Sequence, residues 1–216
     1  MTAPTWSRLR ALAVMSAVAL APARGAAQSG TLSARGAAAT VTNATGSQQF
    51  ASALLPDSGG MADSTLPSVA VPSTLSAEGL ASITTGQLDQ ALVTATTTAE
   101  AAKVKVLDGL ITADVVLAVA TSYANGVAAS SEASGSALVG LVVNGLSYGD
   151  VTPAPNTRVT LPGVGYVVLN ERIRSGDGVH STGLTVNMIH VYLIDPNLGT
   201  VTGEIVVGVA QSAASL

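Results

Sequence analysis

Cysteine is absent from all 216 residues. That excludes a disulfide framework, a thiolate metal site, a cysteine nucleophile and a lipidated cysteine. Aromatic residues make up only 3% and charged residues 10%, against about 25% charged in an ordinary soluble domain. Histidine occurs twice, as His180 and His190, with no HxH or HExxH spacing. No GxSxG is present, and no run past the N-terminal segment approaches 18 apolar residues free of Gly, Asn or charge. What is plentiful is small and apolar: 48% of the chain is hydrophobic, most of it Ala and Val. The core is therefore expected to be built from small and β-branched side chains, and 216 residues suffice for one sizeable core.

The N-terminus reads as a secretory signal peptide over residues 1–27. Arg8 and Arg10 form the charged region, and residues 11–21 (ALAVMSAVALA) are an apolar run too short to span a bilayer. Gly25-Ala26-Ala27 offers small residues for cleavage after Ala27. Removing the segment takes away Arg8, Arg10 and Arg24 and no acid, so the nine basic residues become six against thirteen acidic ones, a net charge of −7. Such a surface argues against nucleic acid and against docking on anionic lipid. The expected localisation is secreted or cell-surface, with no membrane span left after cleavage.

Residues 28–75 read as an extended arm rich in Ala, Ser, Thr and Gly, broken by Pro56, Pro67 and Pro72. The single Phe, Phe50, lies here, and 37–42 (AAATVT) and Val69-Ala70-Val71 have the character of short strands. Leu55-Pro56-Asp57-Ser58-Gly59 reads as a proline turn, and Asn43-Ala44-Thr45 fits the glycosylation sequon only as a pattern.

Residues 76–216 read as a β domain. Its centre is 156–171 (NTRVTLPGVGYVVLNE), where Pro162-Gly163 interrupts two apolar runs; proline cannot donate to a ladder and glycine tolerates positive φ, so the pattern is strand, tight turn, strand. Asp108-Gly109, Asn125-Gly126 and Asn144-Gly145 are hairpin signals between further runs at 104–107, 110–122 and 137–143. The last runs are 184–194 and 204–210. Ala99-Glu100-Ala101-Ala102 has some helical character, weaker than its strand character. Turns every 8–15 residues or so without a helical stripe point to an all-β fold, an antiparallel sandwich or barrel, with a β-solenoid as the alternative.

Three runs are apolar at both parities. Val115, Leu117 and Val119 alternate with Val116, Ala118 and Ala120; Leu138, Gly140 and Val142 with Val139, Leu141 and Val143; Ile205, Val207 and Val209 with Val206, Gly208 and Ala210. A sheet with one wet face alternates apolar and polar, so these strands are expected to be covered on both faces, by a loop, the arm or another subunit.

The order of Gly109-Leu110-Ile111-Thr112-Ala113-Asp114-Val115, Val143-Asn144-Gly145, Pro155-Asn156-Thr157, Leu161-Pro162-Gly163, Val168-Leu169-Asn170-Glu171 and Leu184-Thr185-Val186-Asn187 with His190-Val191 resembles the choice-of-anchor P family. The resemblance spans residues 76–212. It implies an exported bacterial surface protein and supplies no activity to carry over. The chain ends Gln211-Ser212-Ala213-Ala214-Ser215-Leu216 without a sorting motif, membrane helix or basic tail, which departs from that family and favours release or assembly with other chains.

Candidate chemistry is thin. His190 falls at the parity of Leu184, Val186, Met188 and Tyr192, which suggests a partly buried structural role. A metal would need His180 and His190 to converge with Asp177, Asp195 or Glu171. Glu171 has no obvious partner acid for glycoside hydrolysis and is expected to pair with Arg158, Arg172 or Arg174. Asp195-Pro196-Asn197 and Ser175-Gly176-Asp177-Gly178 lack the EF-hand pattern and read as turns. Hence no catalytic, cofactor-binding or metal-binding residue is assigned, and no cofactor. The expected function is that of a secreted or cell-surface structural protein, not an enzyme, self-associating through strand edges or the N-terminal arm into an extracellular matrix or filament. The alternative is a secreted binding module or hydrolase with a loop-built site around His180, Asp177 and Glu171.

Overall fold

The computed structural model of the protein describes residues 30–216, so the expected signal peptide over 1–27 lies outside the described residues. Thirteen strands follow one another with no helix among them: β1 (Thr31–Asn43), β2 (Gly46–Leu54), β3 (Gly60–Val71), β4 (Leu75–Leu88), β5 (Val93–Val106), β6 (Ile111–Ala124), β7 (Ala129–Glu132), β8 (Ala137–Val143), β9 (Leu146–Val151), β10 (Thr157–Leu161), β11 (Gly165–Ser175), β12 (Ser181–Ile194) and β13 (Val201–Ser215). No helix of the described residues is long and apolar enough to cross a membrane.

Two antiparallel sheets pack face to face. Sheet A runs β10-β11-β12-β13-β1-β2; sheet B runs β3-β4-β5-β6-β8-β9, with the short β7 also paired to β6. Neither closes on itself, so the fold is a sandwich; the barrel and solenoid readings fall away. The turn chemistry lies where the sequence places it. Asn144 and Gly145 both have positive φ (52° and 76°) between β8 and β9, the geometry of a two-residue hairpin turn whose twist matches the strands. Gly163, at φ 75°, sits between β10 and β11, and the Val164 N–H closes that turn on the Leu161 carbonyl at 3.0 Å. Ala99-Glu100-Ala101-Ala102 is strand within β5.

Of the arm expected over 28–75, the described residues 30–75 are not a separate segment. Residues 31–75 form β1, β2, β3 and the first residue of β4, and the boundary expected at 75/76 falls inside β4. β1 lies in the interior of sheet A, paired with β13 on one side and β2 on the other. The arm reading undervalued small side chains. Ala38 and Ala39 look unable to bury much, yet in a thin layer between sheets they are 0% exposed and complete the packing.

Inserted residues also shape the two-sided apolarity. In sheet A the pairs Ala37↔Ser52 and Ala39↔Phe50, Ala37↔Val209 and Ala39↔Val207, Asn187↔Val209 and Ile189↔Val207, and Glu171↔Asn187 and Leu169↔Ile189 each leave one residue between them on both strands. Ala51, Ala38, Gly208, Met188 and Asn170 thus form a transverse seam across five neighbouring strands, with positive φ at Ala51, Gly208 and Asn170. At such an inserted residue the in–out alternation of a strand resets. In β13, Ile205 and Val207 are buried before the seam and Ala210, Ser212 and Ala214 after it. Sheet B does the same less regularly: Pro67 faces Gly79, Lys103 faces Asp114, and Gly140 interrupts β8. In β6 the buried set is Ile111 and Ala113, then Val116, Ala118 and Ala120; in β8 it is Leu138, then Leu141 and Val143. β6 and its neighbour β8 keep an apolar outward surface, Val115, Leu117 and Val119 beside Ala137, Val139 and Val142, all half-buried.

Most of the core is one cluster including Leu80, Ile111, Leu138, Leu141, Leu169, Met188, Ile189 and Ile205, each worth about 1.5–3 kcal/mol of burial. A hydroxyl chain crosses the sandwich. Ser212 and Ser122 lie 2.8 Å apart, Ser122 and Ser131 2.8 Å, and Ser131 and Thr182 2.7 Å, so four buried hydroxyls satisfy one another between the sheets.

Candidate functional site

The polar group with the most structure around it is Glu171, on the outward face of sheet A beside the seam. Because β11 and β12 each carry an inserted residue there, Glu171 and Asn187 on one side of the seam share a face with His190 and Tyr192 on the other. The Glu171 carboxylate accepts hydrogen bonds from Asn187 Nδ2 at 2.7 Å, His190 Nδ1 at 2.7 Å and the Tyr192 hydroxyl at 2.9 Å. The side chains of His190 and Glu171 are only 9% and 14% exposed. The bond from His190, reinforced by those from Asn187 and Tyr192, outweighs burial and lowers the Glu171 carboxyl to about 2. Burial, and secondly the bond to this carboxylate, raise the Tyr192 hydroxyl far above its ordinary value. An ionised carboxylate only accepts, so Nδ1 of His190 carries the hydrogen of that bond.

The other ring nitrogen, Nε2, is buried and lies 3.4 Å from Glu204 Oε2, outside hydrogen-bond geometry. The imidazole therefore stands between two carboxylates. This keeps Glu171 and Glu204 from converging on one bond, as a glycosidase pair must. The aromatic rings are occupied as well: Tyr192 stacks on His190 with centroids 4.0 Å apart, Tyr166 stacks on Tyr192 at 4.7 Å, and the Arg158 guanidinium lies 3.7 Å from the Tyr166 ring centroid. Glu171 has three of its roughly four acceptor sites taken by side chains. Its arrangement is that of a clamp locking β11 to β12 across the seam rather than of a free general base.

Several sequence expectations are redirected here. His190 does not share the face of Leu184, Val186 and Met188, because the reset at Met188 moves it to the outside with Asn187. Glu171 pairs with none of the three arginines named for it. Arg158 covers Tyr166, Arg172 Nε donates to Asn170 Oδ1 at 3.0 Å, and Arg174 Nη1 donates to the Ser131 carbonyl at 3.0 Å. Asn187, Tyr192 and Glu204 were missed; the signal available was His190-x-Tyr192 on one strand facing Glu171 on the strand before.

His180 and Asp177 form a second, separate pair in the β11–β12 loop. Asp177 Oδ1 accepts the backbone N–H groups of Val179 (3.0 Å), His180 (2.8 Å) and Ser181 (2.8 Å), and its Oδ2 lies 3.3 Å from His180 Nδ1. The Ser181, Val179 and His180 amides hold this carboxyl well below the ordinary aspartate value. Asp195 caps its turn likewise, accepting from Asn197 and Leu198 at 2.7 and 3.0 Å. Both loops use their carboxylates to build turns, as their sequences suggest. Among the described residues no three His, Cys, Asp or Glu side chains come together as metal ligands. His180 with Asp177 and His190 with Glu171 therefore do not make one cleft. No protein-family model, no curated protein and no solved structure matches this chain.

Proposed function

We propose that this is an exported structural protein of the cell exterior, a subunit that assembles with copies of itself into a matrix or filament. The N-terminal signal pattern, the low charge and the resemblance to the choice-of-anchor P family support export and display. The observation that carries assembly is the seating of the N-terminal hairpin. β1 pairs with the C-terminal strand β13 from Thr31↔Ser215 to Thr42↔Glu204, while the β1–β2 hairpin is joined to the rest only through residues 55–59. Every contact β1 makes with its own β13 is available, in the same register, to the β13 of a neighbour. Such an exchange is head-to-tail and open-ended, and it adds no new interface to evolve. Removal of residues 1–27 after export makes the hairpin available only outside the cell.

Because the chain contains no cysteine, an introduced pair is unique. Thr31 and Ser215 have their hydroxyl oxygens 2.7 Å apart, so Thr31→Cys with Ser215→Cys should form a disulfide. In a polymer built by exchange, oxidation gives a covalent ladder on a non-reducing gel, and mixing the two single variants gives heterodimers. A disulfide confined to single chains, in protein that stays monomeric when concentrated, would overturn the assembly reading. Export itself is tested by intact mass, with the mature chain beginning at Gln28. The alternative, a secreted binding module or hydrolase, rests on the Glu171–His190 pair. It gains ground if a ligand moves the His190 imidazole resonances and leaves those of His180 in place.

A further inference from the structure

A sandwich of two open sheets has edges, and natural proteins blunt theirs. The described edges differ sharply in this respect. β10 has five residues, contains Arg158 and is flanked by Pro155 and Pro162. β9 is short and register-shifted, carries Asp150, and leads into Pro153. β7 has four residues and ends in Glu132. β3 is long, but Pro67 sits in its middle and Asp63 in its first half. β2, Gly46–Leu54, is nine residues of GSQQFASAL with no charge and no proline. Its one irregularity, the inserted Ala51, leaves Gly46 to Phe50 in regular pairing with β1.

The hairpin fixes which backbone groups of β2 are free. Asn43 and Gly46 face each other across the two-residue turn Ala44-Thr45, so they exchange both hydrogen bonds. By alternation, Gln48 and Phe50 bond to β1 as well, while the N–H and C=O of Ser47 and Gln49 point away from the sheet. We propose that this segment pairs antiparallel with the same segment of a second copy, about a two-fold axis through Gln48, joining two six-stranded sheets into one. Ser47 then exchanges both backbone hydrogen bonds with Gln49 of the second copy, and Gln49 with its Ser47, so all four outward groups on each side are satisfied. An isologous contact must complement itself, which a charged edge cannot do. In an acidic chain, this edge brings no acid of its own: Ser47, Gln48 and Gln49 are uncharged, and the nearby Arg35 guanidinium donates to Gln49 Oε1 at 2.7 Å, so two copies approach here without acid facing acid. The contact is small, so the dimer is expected to be weak and concentration-dependent. It does not depend on hairpin exchange, since β2 keeps this edge whichever copy supplies β1.

The test uses Gln48→Cys, the only cysteine in the chain. Opposite Gln48 across the axis lies the other copy's Gln48 in a non-hydrogen-bonded pair, the closer of the two antiparallel spacings. Oxidation should yield disulfide dimers at least tenfold faster than for Ser134→Cys, an exposed site away from this edge. Gln48→Lys places a charge on the axis without altering the backbone, and Ser47→Pro removes an outward donor. Both should abolish the concentration-dependent rise in mass seen by light scattering or sedimentation, with the thermal transition of Gln48→Lys unchanged. Equal crosslinking rates at the two sites, or association that survives in Gln48→Lys, would overturn the proposal. Either result leaves the Thr31–Ser215 experiment intact, so failure of this edge and failure of the exchange reading are separable.

Discussion

The two sheets solve the same geometric problem with different surroundings. Each carries a line of inserted residues at which its strands reset their alternation. In sheet A the line is regular over five strands; the inserted Gly208 backs onto the core, and beside the line Glu171 ties Asn187, His190 and Tyr192 together from outside. In sheet B the line is uneven and its outside is wet: Lys103 and Glu78 form an exposed ion pair at 2.7 Å, and Asp114 lies over Gly140. Sheet A locks its irregularity with desolvated, charge-assisted bonds; sheet B leaves its own to solvent. The comparison teaches that an inserted residue does not itself determine what a substitution will do. What it backs onto does.

Gly208 and Gly140 make the sharpest contrast, because both have positive φ, 71° and 63°. At Gly208 an added Cβ would lie 2.8 Å from Val116 Cγ1 and 3.3 Å from Met188 Cβ, both in the core. Gly208→Ala should therefore suffer backbone strain and overpacking together, roughly 2–4 kcal/mol in chemical denaturation. At Gly140 the added Cβ meets the Asp114 side chain, which is exposed and can swing away, so Gly140→Ala should cost about 1–2 kcal/mol, the strain alone. Equal losses at the two sites would mean that the lines are equivalent after all.

Glu171→Gln removes the charge from the sheet A clamp while keeping its shape, and should cost roughly 1–3 kcal/mol. The effect depends on pH with a definite sign. The folded carboxyl is lowered from 4.5 to about 2, so its contribution is fully present above about pH 4.5 and is lost as pH falls toward 2. Denaturant midpoints should drop over that window for the natural protein and drop less for Glu171→Gln. Parallel curves would detach the clamp from stability.

Gly163→Val is smaller again. Nothing lies within 4 Å of the added Cβ, so only the φ of 75° opposes it, about 1–2 kcal/mol read as a lowered thermal midpoint. At the bottom of the scale, Lys103→Ala should leave the thermal midpoint of sheet B unmoved, since its pair with Glu78 is exposed on both sides.

Local residues made much of the fold legible. Asp108-Gly109, Asn144-Gly145 and Pro162-Gly163 announce their turns because positive φ is favoured by few residue types, and the runs between them coincide closely with strands. The candidate site was legible only as parts. Glu171 and His190 each drew notice, yet their union depends on residues that count as one step in sequence and none in the in–out alternation. Alternation read straight through Met188 assigns His190 to the wrong face, and read straight through Gly208 and Gly140 it misassigns which apolar side chains of β13 and β8 face the core.

What the amino-acid order determined by itself is therefore what nearest neighbours decide: an all-β chain, the places where it turns, and a core of small and branched side chains. The tertiary structure alone decided that residues 31–75 complete the sandwich instead of preceding it. A strand such as β1 is held by partners at the far end of the chain, β13, and by a layer thin enough to bury alanine fully. Neither condition is written within the strand. The same holds for the seam and for the clamp at Glu171, which exist because five strands insert a residue in step, an agreement among segments up to 170 residues apart (Ala38 to Gly208) that no local pattern records.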